Sequence, residues 1–126
     1  MNKDGLFVGY GAPGSVGMNR TVKGAKSVHG KDPQLLIEKI IRDRIFESRY
    51  WKESCFGTDT EKVLELAAAL DHVGGTYSNL KPTPFLCLAL RLLQLQPDEE
   101  ALMEFIVQED FKYIRALGIF YFRLVG

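Results

Sequence analysis

Residues 85–95, Phe-Leu-Cys-Leu-Ala-Leu-Arg-Leu-Leu-Gln-Leu, are apolar at every position except Arg91 and Gln94. Wound as a helix, such a run leaves no face for water and has to be enclosed by other elements on all sides. It is much shorter than the ~20 apolar residues needed to span a bilayer. Pro82-Thr83-Pro84 starts it, since each proline fixes its own backbone and biases the residue before it toward extended geometry. The run is therefore expected at the centre of a helical bundle, and the rest of the chain should supply its cover.

The flanking sequence offers that cover. Asp32-Pro33 opens a helix, the aspartate capping free amides and the proline taking the first helical position. Leu36, Ile37, Ile40, Ile41 and Ile45 form its apolar face, opposite Glu38, Lys39, Arg42 and Asp43, and the pattern runs, with room for a bend, through Phe46, Tyr50 and Trp51 to Gly57. Thr58-Asp59-Thr60-Glu61 reads as a capping box for a second helix with a stripe of Val63, Leu66, Ala67, Leu70 and Val73, ended by Gly74-Gly75. Pro97-Asp98-Glu99-Glu100 begins another, with Leu102, Phe105 and Ile106 facing inward, and Phe111, Ile114, Leu117, Tyr121, Phe122 and Val125 mark a last helix. Nothing reads as a strand, and no fixed-period repeat suggests a solenoid. The expected fold is all-α: a single irregular multi-helix domain of about five helices over residues 31–126, preceded by a Gly-rich flexible or extended arm, residues 1–30.

Composition narrows the function classes. With 46% hydrophobic and 25% charged residues among 126, the chain can bury one core, and wholesale disorder is excluded. Acids and bases balance to a formal charge of zero, so no global positive field draws the protein onto phosphates. No secretory signal is read, and Cys55 and Cys87 lack Cys-x-x-Cys spacing, which fits buried thiols in a reducing compartment.

Catalytic and cofactor motifs fail on context. Gly9-Tyr10-Gly11-Ala12-Pro13-Gly14 satisfies Gly-x-Gly-x-x-Gly, but Pro13, Gly14 and Gly17 interrupt the helix that should hold a pyrophosphate, and no second strand follows. His29, His72, Cys55 and Cys87 have no zinc-type spacing. Cys55, beside Arg49 and Lys52, is the better candidate for a reactive thiol, although it fits equally into an aromatic cluster with Trp51 and Phe56. Glu99-Glu100 and Glu109-Asp110 sit where helix amino termini favour negative charge. No catalytic residue, metal site, cofactor or small-molecule substrate is assigned. A surplus of large apolar groups remains, and Phe120-Tyr121-Phe122 points in several directions around the last helix, so part of that surface needs a partner helix or further chain over it.

Three dense segments carry a resemblance: Lys39-Ile40-Ile41-Arg42-Asp43-Arg44-Ile45-Phe46-Glu47-Ser48-Arg49-Tyr50-Trp51-Lys52-Glu53-Ser54-Cys55-Phe56-Gly57, then Lys81-Pro82-Thr83-Pro84-Phe85-Leu86-Cys87-Leu88, then Glu109-Asp110-Phe111-Lys112-Tyr113. With Asn19-Arg20-Thr21-Val22-Lys23, His29-Gly30 and Gly74-Gly75, they make the chain from about Asn19 onward resemble the amino-terminal domain of the pre-mRNA-splicing factor 38 family, in the tri-snRNP-linked branch. The resemblance implies a nuclear, helical, non-enzymatic spliceosome component that joins before catalytic activation. It also implies docking of helical or extended segments of other splicing proteins, among them a zinc-finger splicing factor and a microfibrillar-associated-protein-like factor. The Gly-rich start extends beyond the expected family pattern, the loop Tyr77-Ser78-Asn79-Leu80 is a residue shorter, and family members continue past the position of Gly126, so the carboxyl-terminal part of the family domain is expected to be missing here.

Exposed parts of the matched segments are the candidate partner-binding residues: Arg42, Arg49, Tyr50, Trp51 and Lys52 on one surface, Asn79, Lys81, Pro82 and Thr83 on a second, Lys112, Tyr113 and Arg115 on a third. The alternative is a direct RNA-binding module on the face spanning Lys39 and Lys52, with arginines on phosphates and rings on bases. Glu38, Asp43, Glu47 and Glu53 dilute that face, as in an ordinary solvated helix.

Overall fold

A computed structural model describes residues 19–74, 76 and 81–126. Five α-helices carry the fold: α1 (Lys39–Glu47), α2 (Thr60–Ala68), α3 (Pro84–Leu95), α4 (Glu99–Ile106) and α5 (Lys112–Val125). A 3-10 turn, Pro33–Leu36, precedes α1, and a wide π-type turn, Trp51–Cys55, follows it. Among the described residues there is no strand, only two isolated bridges, Val28 with Lys31 and Thr76 with Pro82.

The all-apolar run occupies the centre, as its pattern requires. Thr83 caps α3 by accepting from the Leu86 amide, Pro84 takes the first turn, and every residue from Phe85 to Gln94 is buried. Around α3 pack α1, α2, α5 and both short turns, while α4 lies against α5. That last pair meets at Gly118, where a Cβ would stand 2.7 Å from Phe105 Cβ and 3.2 Å from Ile106 Cγ1, so the absent side chain sets how closely the helices approach.

The expected long helix from Asp32 to Gly57 is three pieces. Asp32 caps the 3-10 turn by accepting from the Gln34 amide, after which Ile37 and Glu38 are extended and α1 starts afresh at Lys39. Ser48, also extended, ends α1: its hydroxyl donates to the Ile45 carbonyl at 2.7 Å and accepts from the Trp51 amide at 3.3 Å, replacing the helical ladder. The break has a packing consequence. In one continuous helix Ile45 and Trp51 would project about 120° apart, yet both are fully buried here. Ile40, expected on the apolar face, is 58% exposed.

Two further expectations shift. The cap of α2 is Asp59, accepting from the Lys62 amide at 2.9 Å, and not Thr58, whose hydroxyl instead donates to the Cys55 carbonyl. The helix closes at Ala68, well short of Gly74, through amides of Ala69 and Leu70 that reach back only three residues, so Val73 leaves the core stripe and is 49% exposed. Phe111 and Phe122 are also exposed, whereas Ile114, Leu117 and Tyr121 form the buried stripe of α5.

The stretch 19–30, expected within the arm, packs on α3 instead. The Val22 amide donates to the Gln94 carbonyl at 2.8 Å, and Lys26 and the Gln96 side chain exchange two bonds at 2.7 Å each. Gln96 itself sits at φ +48, ending α3 in a left-handed cap. Residues 1–18 of the expected arm, with their glycine motif, lie outside the described residues.

A chain of polar side chains crosses the apolar core. Arg91 donates from Nε and Nη2 to the Thr58 carbonyl (3.0 and 2.7 Å) and from Nη1 to Gln94 Oε1 (2.8 Å). Gln94 donates to Gln34, Gln34 to Asp32, and the Thr21 hydroxyl to Asp32 as well. All but Thr58 are buried. Burial draws the Arg91 guanidinium down to about 10, with Cys55 and Asp59 acting in the opposite sense.

Candidate functional site

The first expected surface divides between core and solvent. Trp51 is fully buried, its ring 5.3 Å from that of Phe46 and its Nε1 donating to Asn19 Oδ1 at 2.6 Å, so it is a core anchor and not an exposed contact. Tyr50 is half-buried, and burial, aided by Cys55 and Cys87, raises its phenol above the ordinary range. Arg42 is half-buried and donates to the Ile37 carbonyl at 3.0 Å. Arg49 is exposed and paired with Glu53 at 2.7 Å, as Lys39 is with Asp43 at 2.9 Å. Lys52 is exposed at the rim of a shallow depression with Asn19, Phe46, Trp51 and Phe56.

The second surface is mostly structural. Pro82 and Thr83 are buried, and the Thr83 hydroxyl donates to the Gly74 carbonyl at 2.8 Å, tying the α2–α3 connection to the start of α3. Lys81 is exposed, and Asn79 lies outside the described residues. On the third surface, the Lys112 ammonium lies 5.1 Å from the Tyr113 ring centroid, and Arg115 donates to the carbonyls of Gln108 and Glu109. These residues border a polar cleft between the end of α2 and the α4–α5 connection, which Glu109 and Asp110 also line.

An apolar groove of about 570 Å³ is lined by Val73, Gly74, Phe85, Leu86, Ala116, Ile119, Phe120 and Arg123. The Phe85 and Phe120 rings in its lining are tilted, with centroids 5.5 Å apart. Phe122, 57% exposed, and Ile119, 39% exposed, extend the apolar surface. The residues Phe120-Tyr121-Phe122 signalled this surplus in the sequence; its wall did not show, because Val73 belongs to the groove only once α2 stops early.

Enzymatic groups find little support in this geometry. Cys55 and Cys87 are both fully buried; desolvation raises the Cys55 thiol and pushes Cys87 up to about 11, the reverse of what a thiolate nucleophile needs. His72 faces Asp71 on an exposed stretch beyond α2. Among the described residues no three His, Cys, Asp or Glu side chains cluster to hold a metal, and no helix is long and apolar enough to cross a membrane.

Comparison with known proteins gives the chain its family. A solved structure, the Snu23–Prp38–MFAP1(217–258) complex of Chaetomium thermophilum, contains a chain that superimposes with a TM-score of 0.75 at 43% identity, covering 81% of this chain and 55% of that one. Pre-mRNA-splicing factor 38A of Xenopus laevis is 62% identical over 109 residues, and that of Homo sapiens 60%. Each match takes in 86% of this chain, which spans 35% of the length of these relatives. The PRP38 family model matches residues 26–126. With a family match over that span and an all-helical fold in common with its solved relative, the chain belongs to the PRP38 family.

Proposed function

We propose that this chain is a non-enzymatic component of the spliceosome that acts in the nucleus as a protein-interaction scaffold before catalytic activation, in the company of tri-snRNP and activation-stage splicing proteins. The observation that carries the proposal is the solved complex, in which a relative of matching fold is assembled with Snu23 and a short segment of MFAP1. The apolar groove beside α5 supports it, because an apolar concavity of this size suits a partner's side chains. The contacts of such a docking hub also include the exposed members of the expected surfaces, Arg49, Lys52, Lys81 and Lys112.

RNA contact is secondary in this proposal. Lys39 and Arg49, which would have to meet phosphates, are engaged with Asp43 and Glu53 of the same helical segment, leaving a face of mixed sign. Affinity purification of the tagged protein from nuclear extract, with and without nuclease, tests the scaffold. Retention of tri-snRNP and activation-stage proteins after nuclease treatment is the expected result. Loss of every partner with the RNA would replace the scaffold by RNA binding.

A further inference from the structure

Residues 19–28 form a strap fastened to parts of the chain far from them in sequence. Asn19 accepts from Trp51 Nε1 at 2.6 Å, the Thr21 hydroxyl donates to Asp32, the Val22 amide donates to the Gln94 carbonyl at 2.8 Å, and Lys26 and Gln96 exchange two bonds at 2.7 Å. Thr21 and Ala25 are buried. One tight turn leads from this strap toward Asp32: Val28 and Lys31 pair through both backbone bonds, at 2.7 and 3.0 Å, and His29 and Gly30 link them. Both linking residues have positive φ, +53 and +79, as a two-residue hairpin turn of this kind requires. Gly30 adopts that backbone without penalty, whereas the Cβ of His29 is disfavoured there.

We infer that this turn is a hinge through which two copies of the chain exchange residues 19–28, each strap seating on Trp51 and the end of α3 of the other copy. The seat selects its occupant. It offers an indole N–H to Asn19, the Asp32 carboxylate to Thr21, the Gln94 carbonyl to the Val22 amide and the Gln96 side chain to the Lys26 backbone. A second copy carries the identical strap, so each of these contacts re-forms between copies in a closed two-fold dimer. Opening the turn breaks only the Val28–Lys31 pair. Val28 is half-buried and His29, Gly30 and Lys31 are exposed, so water takes over the two bonds, while His29 relaxes to ordinary extended backbone. A short hinge under strain is the setting that favours exchange over closure within one chain. The exchange stands apart from the docking role proposed above, since its partner is this chain itself.

The test is sedimentation of the full chain, refolded at high concentration and then diluted. A dimer that returns slowly to monomer is expected, because each strap has to leave its seat first. His29→Gly removes the left-handed penalty from both hinges and should weaken dimerisation on the order of tenfold or more. His29→Pro fixes φ at about −65°, which the closed turn cannot accept, and should strengthen dimerisation by a similar factor. Should His29→Pro lose its helical circular dichroism, Gly30→Val applies the same bias at the other linking position, where a β-branched residue resists a φ of +79. Exchange itself is read by mixing a Lys26→Cys chain with a Pro97→Cys chain before refolding and adding a short bismaleimide. Cys55 and Cys87 are fully buried and shielded from the reagent. Peptide mapping of the dimer should find position 26 of one copy joined to position 97 of the other.

A chain that stays monomeric at every concentration, with His29→Pro and Gly30→Val monomeric as well, overturns the exchange and makes the turn a fixed corner. Dimerisation confined to the His29→Pro and Gly30→Val chains overturns it too, the parent turn then being closed. A dimer that ignores all three substitutions and yields no link between positions 26 and 97 of different copies assigns association to another face and leaves the strap within its own chain.

Discussion

Replacing Arg91 by methionine sets two large effects against each other. The guanidinium makes three bonds inside the protein, two to the Thr58 carbonyl and one to Gln94. Bonds from a charged donor contribute about 1.5–3 kcal/mol each, and a buried acceptor deprived of its donor costs about 1–3 kcal/mol. Thr58 is only half-buried and its carbonyl can rehydrate, so the main penalty falls on Gln94. Against this stands the cost of keeping a cation out of water: burial lowers Arg91 from 12.5 to about 10, worth about 3 kcal/mol, which methionine removes. The bonds outweigh the desolvation, and Arg91→Met should destabilise the domain by about 3 kcal/mol. Urea unfolding followed by far-ultraviolet circular dichroism should show the midpoint falling by about 1–3 M with an unchanged slope. Adding Gln94→Leu should cost less than the sum of the single changes by about 1 kcal/mol, since the stranded acceptor goes with it. An Arg91→Met midpoint equal to or above the parent's would refute the reasoning and place this arginine among buried ions that packed hydrophobes improve upon.

Three other outcomes are expected. Gly118→Ala, a change that ordinarily favours a helix by about 1 kcal/mol, should destabilise by roughly 1–2 kcal/mol, because the new methyl collides with Phe105 Cβ and Ile106; unfolding midpoints decide the sign. Cys87 is an acid whose folded pKa is raised to about 11 from 9.0, so its contribution is complete below pH 9 and is lost as pH rises through 11. Cys87→Ala should accordingly flatten the fall in stability between about pH 9 and pH 11 by roughly 2 kcal/mol, measured as urea midpoints across that window. Trp51 is the sole tryptophan and fully buried, so native emission should lie at short wavelength and resist acrylamide; Trp51→Ala should cost about 3–5 kcal/mol.

The centre of the fold was legible because residues 85–95 admit one environment only, and Pro82-Thr83-Pro84 and Pro97-Asp98-Glu99-Glu100 located the starts of α3 and α4, which the structure caps with Thr83 and Asp98. Breaks were harder. Periodicity carried one helix past Glu38 and Ser48, since the competing bonds of the Ser48 hydroxyl and the need to bury both Ile45 and Trp51 arise only in three dimensions. The same limit affected the site. Trp51, Pro82 and Thr83 stood out as chemically dense, yet they are buried and hold the frame; Val73 was read as a core position and emerges at the groove, beside Ile119, which the pattern did not single out. Segment density marks where a chain is constrained, without separating contacts within the molecule from contacts with another.

The bonds that fasten Val22 and Lys26 to the end of α3 also impose an order on events during synthesis. Their partners, Gln94 and Gln96, lie some 70 residues downstream. A chain emerging amino terminus first presents Thr21, Val22 and Ala25 before the surface that receives them exists, and closing so long a loop has to await the central helix. Until then the earliest described residues have only temporary company, and α1 must leave its buried side open to whatever is nearby. Completion of α3 is therefore the step at which the domain can first become whole, and a ribosome paused before Gln94 would hold a chain with every early element made and no core to join.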